Sequence, residues 1–181
     1  RPCPDMPELL IGCGSRRIKQ VFPHPGEAWT DLVTLDINDH HRPDVVHDLT
    51  VLPLPFADET FDEIHAYEVL EHTGQQGDYR FFFAQFSEFW RLLKPNGHMC
   101  GSVPLPTSVW AFGDPSHTRV IPKQSFQFLD QSEYTRQIGV TSMSDFRYLY
   151  EADFALEYAQ EAGDSLLFAL RAIKPSRIQR R

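Results

Sequence analysis

The stretch that most constrains the fold runs from Glu8 to Ser15, where a short apolar run, Leu9-Leu10-Ile11, stops at two glycines one residue apart, Gly12 and Gly14. A short apolar run before a glycine turn reads as a buried strand ending in a tight loop. Glycine permits positive φ and leaves no Cβ between the backbone and a ligand. At the carboxyl end of a first strand, such a loop is where open α/β sheets hold nucleotides. Taken alone, the glycine pair also fits an ordinary strand-ending turn. Its meaning depends on how the next strands end.

Two later stretches supply that meaning. Leu32 to Ile37 is a second apolar run, and its Asp36 stands 22 residues after Gly14. An acid at about that distance, ending the second strand, is placed to bind the hydroxyl pair of a ribose. Val45-Val46-His47-Asp48-Leu49 closes a third run on another acid. Loop glycines and aspartates at the ends of three successive strands describe one ligand edge. The plain structural alternative for Asp36 and Asp48 is a turn or helix cap.

The rest of the chain reads as an α/β sheet. Residues 1 to 7 form a proline-bearing extended lead-in, and Arg16 to Val21 a short first helix ended by Pro23, Pro25 and Gly26. Strands are expected over Glu8 to Ile11, Asp31 to Ile37, Asp44 to Leu49 and Phe61 to Ala66, with a proline-containing loop from Leu52 leading into the fourth. Tyr79 to Leu93 is a helix, because Phe82, Phe83, Phe86, Phe89, Trp90 and Leu93 recur at spacings of three and four. Lys94 to Gly97 stops it, and His98 to Val103 returns as a strand. Phe154 to Ala159 and Leu166 to Ile173 pair as a hairpin across the Glu161 to Asp164 turn. Lys174 to Arg181 reads as a frayed basic tail. This order implies a mostly parallel sheet with one antiparallel strand, in a single domain over residues 1–181. Residues 104–150 carry Pro104, Pro106, Pro115 and Pro122 and read as a substrate-side insertion over the carboxyl edge. Short helices are expected in it near Lys123 to Leu129 and Ser132 to Gln137.

Bulk properties narrow the function. The net charge of −8 argues against nucleic acid as a partner, since phosphate contacts need clustered Lys and Arg. No run approaches the roughly 20 apolar residues of a membrane span. Cys3, Cys13 and Cys100 include no CxxC pair, so neither a disulfide framework nor a cysteine zinc site is indicated. With no apolar core of a secretory signal in the first residues, the expected location is the cytoplasm. Eight histidines raise the question of a metal. The adjacent His40 and His41 come with no His-x-x-x-His or Glu-x-x-His spacing, so no metal is expected.

Read together, the motifs resemble the class I S-adenosylmethionine-dependent methyltransferases, in particular the type 11-like proteins. The matching text is Leu10 to Gly14, Leu35 to Ile37, Val45 to Leu49, Leu54-Pro55-Phe56, Thr60 to Ile64, Glu68 to His72 and Leu92 to Gly97, in family order. The resemblance implies a Rossmann-like, mostly parallel seven-stranded sheet with helices on both faces and a C-terminal antiparallel β-hairpin. It also implies S-adenosylmethionine as cofactor and methyl transfer to a small-molecule acceptor as activity. Gly12, Cys13, Gly14 and Ser15 would then line the methionine part through backbone groups. Asp36 would take the ribose hydroxyls and Ile37 would pack on the adenine. Asp48 and the Leu49 amide would bind the adenine edge, and Tyr67 and Glu68 would close the pocket near the sulfonium. Two positions depart from the family pattern. Leu10 stands where an acid is frequent, and Arg16 where a third glycine is common.

On the acceptor side the candidate stretch is Trp110 to Arg119, which resembles an Asp-Pro-x-His-x-Arg segment of some relatives. His117 is a base or substrate-orienting group, Arg119 an anion-binding group, and Asp114 their neighbour at the pocket mouth. The structural alternative is that Asp114 caps a turn and His117 bonds to it. His72 is a second candidate base. Two other functions fit the fold. One is a non-catalytic binding protein with a degenerate cofactor site. The other is a nicotinamide-dependent oxidoreductase, whose third fingerprint glycine would fall where Arg17 stands.

Overall fold

A computed structural model describes residues 6–21 and 25–179. The apolar runs pair into one sheet of seven strands: β1 (Pro7–Ile11), β2 (Asp31–Asp36), β3 (Val45–Val46), β4 (Phe61–Tyr67), β5 (Leu93–Pro104), β6 (Phe154–Ala162) and β7 (Ser165–Ala172). Their order across the sheet is β3-β2-β1-β4-β5-β7-β6. β1 to β5 are parallel, and β7 runs antiparallel to both β5 and β6. The Rossmann-like sheet with its closing hairpin is therefore as expected. The chain steps from β1 outward to β2 and β3, then returns to β4 on the other side of β1. That reversal places the ligand crevice at the carboxyl ends of β1 and β4. Among the described residues, no helix is long and apolar enough to cross a membrane.

Strand alternation gives the sheet two unlike faces. One carries Leu9, Ile11, Ile64, Ala66 and Met99, all buried in the main core. Helix α1 (Tyr79–Leu92) lays Phe83, Phe86, Phe89 and Leu92 onto it. Asp78 caps this helix by accepting from the Phe81 N–H at 3.0 Å. After a single turn at Trp110–Gly113 (α2), the 3₁₀ turns of Lys123–Leu129 and helix α3 (Gln131–Gln137) follow close to where short helices were expected. Phe126 and Leu129 join the same core.

The opposite face carries Glu8, Leu10, Glu63, His65, Tyr67 and Cys100. It is covered by residues 16–21 and 25–30, which contain no helix, so the helix expected over Arg16 to Val21 is absent, and with it the helical cover expected on this second face. The reason lies in where that segment's polar groups go. Lys19 Nζ pairs with Glu8 and lies 3.3 Å from Glu63. The Gln20 N–H donates to the Tyr67 hydroxyl at 3.0 Å, and the Thr30 N–H to Glu8 at 2.8 Å. Partners on strands replace the i to i−4 ladder of a helix. His65 extends the network, with Nε2 2.8 Å from Glu63 and Nδ1 2.6 Å from the Tyr67 hydroxyl. Trp29 closes it edge-on over the His65 ring.

Two further expectations change. β3 is shorter than Asp44 to Leu49, because Asp44 is engaged by the Thr34 N–H at 2.8 Å and Asp48 turns back on Thr50. The tail is docked through residue 179 rather than frayed. Arg177 donates to the fully buried Asp153 through Nε at 2.7 Å and Nη2 at 2.8 Å. The lead-in over residues 1–5, Phe22 to His24 and the last two residues lie outside the described part.

Candidate functional site

The carboxyl ends of β1, β2 and β4 enclose a cavity of about 390 Å³, lined by Gly12, Gly14, Asp36, Ile37, Asp48 and Leu49 among others. Gly12 and Gly14 both hold left-handed φ, +58° and +49°. A Cβ at Gly12 would come within 2.3 Å of Val69 Cγ2, so only glycine lets the loop pass beneath that side chain. A Cβ at Gly14 would meet nothing within 4 Å. The turn instead aims the Gly14 N–H at Asp36, 2.9 Å from Oδ2, while the Asn38 N–H donates to Oδ1 at 2.9 Å. His41 Nδ1 lies 3.2 Å from Oδ2. Burial would raise the Asp36 carboxyl, but the Asn38 and Gly14 amides and His41 outweigh it and hold it below the ordinary value. Asp36 is thus a fixed, charged acceptor, and a carboxylate with about four lone-pair sites keeps capacity for further donors.

The lining also has apolar members: Ile37, which is 66% exposed, Leu49 and Val69. Asp48 also lines the cavity, yet its Oδ1 accepts from the Thr50 N–H and hydroxyl, both at 2.8 Å, as a turn cap does. His41, His47, Thr50, His72 and Thr73 complete the lining. Sequence reasoning did not select His41, His47 or Thr73, because a histidine or threonine in a loop carries no local signal.

Beyond His72 lies a second group of side chains. Glu71 is 1% exposed, and neither carboxylate oxygen receives a hydrogen bond from another described residue. Burial, with Glu68 and Asp114 adding to it, pushes its carboxyl up to about 8 against the opposing charge of Arg119. His72 Nε2 and His117 Nε2 each stand 3.9 Å from Glu71 Oε1, and the two rings meet edge to face at 4.6 Å. The loops are stitched together by the Thr118 and Arg119 N–H groups, which donate to the Glu71 carbonyl at 2.9 and 3.3 Å.

Residues 9–101 match the profile of a family described as a methyltransferase domain. The chain belongs to that family. S-adenosylmethionine is its cofactor. A SAM-dependent methyltransferase from Archaeoglobus fulgidus shares the fold, with a TM-score of 0.59 and 16% identity over 92% of this chain and 86% of that one. One from Mesorhizobium loti does so with a TM-score of 0.51 and 16% identity over 92% and 90%. The [4+2]-cyclase SpnF also does, with a TM-score of 0.53 and 12% identity over 93% and 75%. No curated protein matches the sequence. At these identities the structural likeness carries the fold alone, and the cyclase is a reminder that a fold does not fix a reaction.

The cavity of this methyltransferase fits an adenosine-bearing cofactor by its donor set. A charged acceptor stands at the β2 end, an apolar rim at Ile37 and Leu49, and a turn without side chains at Gly12 and Gly14. Gly12, Gly14, Asp36, Ile37, Asp48 and Leu49 are brought together as the sequence suggested. Four other residues are placed differently. The Cys13 N–H is already given to the Leu35 carbonyl at 3.2 Å, and its thiol is buried. Ser15 is exposed and outside the lining. Tyr67 shares strand parity with Glu63 and His65, so its hydroxyl joins their network on the far face. Glu68 is exposed at the strand exit with φ of +52°.

On the acceptor side, Asp114 and His117 do come together, with Nε2 3.8 Å from Oδ2. Asp114 also accepts from the Ser116 N–H at 2.8 Å and its hydroxyl at 2.6 Å, the turn-capping geometry. Arg119 is 6% exposed. Its Nε donates to the Leu70 carbonyl at 2.9 Å, and Nη2 donates to Thr73 Oγ1 at 3.0 Å and to Gln85. Arg119 therefore fixes the turn that presents Glu71 and His72. It also lines a smaller cavity of about 190 Å³ between α1 and the insertion, with Tyr79, Phe82, Phe128 and Phe146.

Proposed function

We propose that this methyltransferase moves the methyl group of S-adenosylmethionine to a small-molecule acceptor. On this reading the cavity at the ends of β1, β2 and β4 is the cofactor site. The single observation that carries it is Asp36, a charged carboxylate held by the Gly14 and Asn38 amides on the cavity wall. Asp36 binds the ribose hydroxyls, since a diol prefers a charged acceptor that can take two donors. Ile37 and Leu49 pack on the adenine, and Asp48 takes its amino group. Gly12 and Gly14 let the backbone approach the rest of the cofactor. When bound, the cofactor supplies an electrophilic methyl group on a sulfonium.

The acceptor enters from the side of Glu71, His72, Asp114 and His117. Proximity and orientation supply much of the barrier reduction in such a transfer. The insertion over residues 104–150 is the substrate side of the domain. It supplies His117, and its Phe128 and Phe146 face Tyr79, Phe82 and Phe83 of α1 across the smaller cavity. The net charge of −8 favours a small molecule over a nucleic acid.

The test is transfer of isotope-labelled methyl from S-adenosylmethionine to a fractionated pool of small metabolites. Label should move to a defined product with the wild-type chain and fall at least a hundredfold with Asp36→Ala. A folded wild-type chain that binds the cofactor and labels no fraction would remove the small-molecule reading.

A further inference from the structure

Glu71, His72 and His117 bring three potential ligand groups together where two loops meet. The Glu71 side chain is 2% exposed, and neither of its oxygens receives a hydrogen bond from another described residue. A buried carboxyl with no side-chain or neighbouring backbone donor is costly in its charged form unless a cation compensates it. Arg119 is the cation that bears on it, but its Nε and Nη2 are committed to Leu70, Thr73 and Gln85. Glu68 and Asp114 add further negative charge around it. The His117 side chain is 8% exposed, and its Nδ1 also has no partner among the described residues. The groups that face this carboxyl are the Nε2 atoms of His72 and His117.

The donor geometry fits a metal cation. One donor atom from each of the three residues lies within 4.8 Å of the other two. The two Nε2 atoms are each 3.9 Å from Glu71 Oε1. Donors bound at about 2.1 Å stand about 3.0–3.4 Å apart, so each ring closes by roughly half an ångström. His72 is already oriented for this. Its Nδ1 lies 3.3 Å from the Ser116 carbonyl and 3.1 Å from the Ser116 hydroxyl, which itself donates to Asp114. A proton on Nδ1 serves those acceptors and turns the Nε2 lone pair toward Glu71. Ligating histidines are held by outer partners in this way.

We propose that Glu71, His72 and His117 bind one divalent transition-metal cation at the mouth of the large cavity. Two imidazoles and a carboxylate suit zinc, iron(II) or cobalt(II) better than magnesium or calcium. Three protein ligands leave coordination positions open, as catalytic sites require. His72 also lines the large cavity, so those positions face the place where an acceptor would meet the cofactor. They would take an oxygen donor, which marks the acceptor as a small molecule bearing a hydroxyl or carboxylate. That last step rests on the cofactor reading of the cavity, whereas the cation site does not.

The full chain, freed of metal with a chelator, is titrated with cobalt(II) chloride by calorimetry and visible absorption. We expect one cobalt per chain and a ligand-field band, with affinity falling at least tenfold in Glu71→Gln and in His117→Ala. His40→Ala, on an exposed side chain, should bind as the wild type does. Each variant is also titrated with S-adenosylmethionine and checked by circular dichroism. His72→Asn stands in for any variant that fails to fold. No cobalt binding by the folded wild type, or binding that survives in the site variants, overturns the proposal. Variant-sensitive cobalt binding without any cofactor binding would uphold the cation site and overturn the cofactor reading instead.

Discussion

Glu63 and Glu71 stand eight residues apart and are both buried, but their surroundings are opposite. Glu63 lies on the sheet face that residues 16–21 and 25–30 cover, with His65 Nε2 at 2.8 Å and Lys19 Nζ at 3.3 Å. Burial opposes its charge, yet His65 and Lys19 prevail and bring its carboxyl down to about 2. Glu71 lies at the carboxyl edge, and burial takes its carboxyl up to about 8. The difference separates a charge that the fold has satisfied from one it has left open. The first replaces a missing helix as the cover of a sheet face. The second stands beside the cavity and reads as part of a site.

The largest effect that would sharpen this contrast is on the satisfied side. Lys19→Met leaves Glu8 and Glu63 buried without their cation, and breaking such a pair costs about 3–5 kcal/mol. Denaturant unfolding measures it. A loss below about 1 kcal/mol would mean that the network does not hold the crossover down.

The next effect is pH dependence. A carboxyl whose folded value is depressed from 4.5 to about 2 contributes stability that is present above pH 4.5. That contribution is lost as the pH falls through the folded value. Wild-type unfolding free energy should therefore drop between about pH 4.5 and about 2, and Glu63→Gln should show a shallower drop. Equal slopes for the two proteins would remove Glu63 from the account.

Smaller effects belong to the ligand edge. Ile37→Ala removes part of the apolar rim, about 1–2 kcal/mol of burial on ligand binding. Affinity for S-adenosylmethionine should fall about tenfold with no change in stability. Smallest, and opposite in sign, Glu71→Gln in metal-free buffer should leave stability unchanged or raise it by up to about 1 kcal/mol. If Glu71→Gln destabilises as much as Lys19→Met, the two glutamates play the same role and the contrast fails.

Local signals account for what the sequence made legible. Period-two and period-3.6 apolar patterns located the strands and α1, whose first residue, Tyr79, fell where expected. Glycine punctuation and a strand-ending acid grouped Gly12, Gly14 and Asp36, which line one cavity because it is built from consecutive strand ends. What stayed hidden depends on distant partners. Nothing near Arg16 to Val21 forbids a helix. Lys19 pairs with Glu8, 11 residues back, and reaches Glu63, 44 residues on, while the Gln20 N–H goes to Tyr67, 47 residues on. Tyr67 was readable in principle, since its parity with His65 puts it on the far face. The pairing of His72 with His117 spans 45 residues. It forms where the loops are joined through the Glu71 carbonyl and through Gln76, which no spacing rule registers.

The central claim is that the cavity beside Asp36 holds the methyl donor. Calorimetric titration of the purified chain with S-adenosylmethionine, repeated with Asp36→Ala, tests it most directly. Losing two charge-assisted hydrogen bonds costs about 3 kcal/mol, so the account predicts wild-type binding that weakens about a hundredfold or more in the variant. Equal affinity in the two proteins, or no binding by a folded wild-type chain, would contradict it.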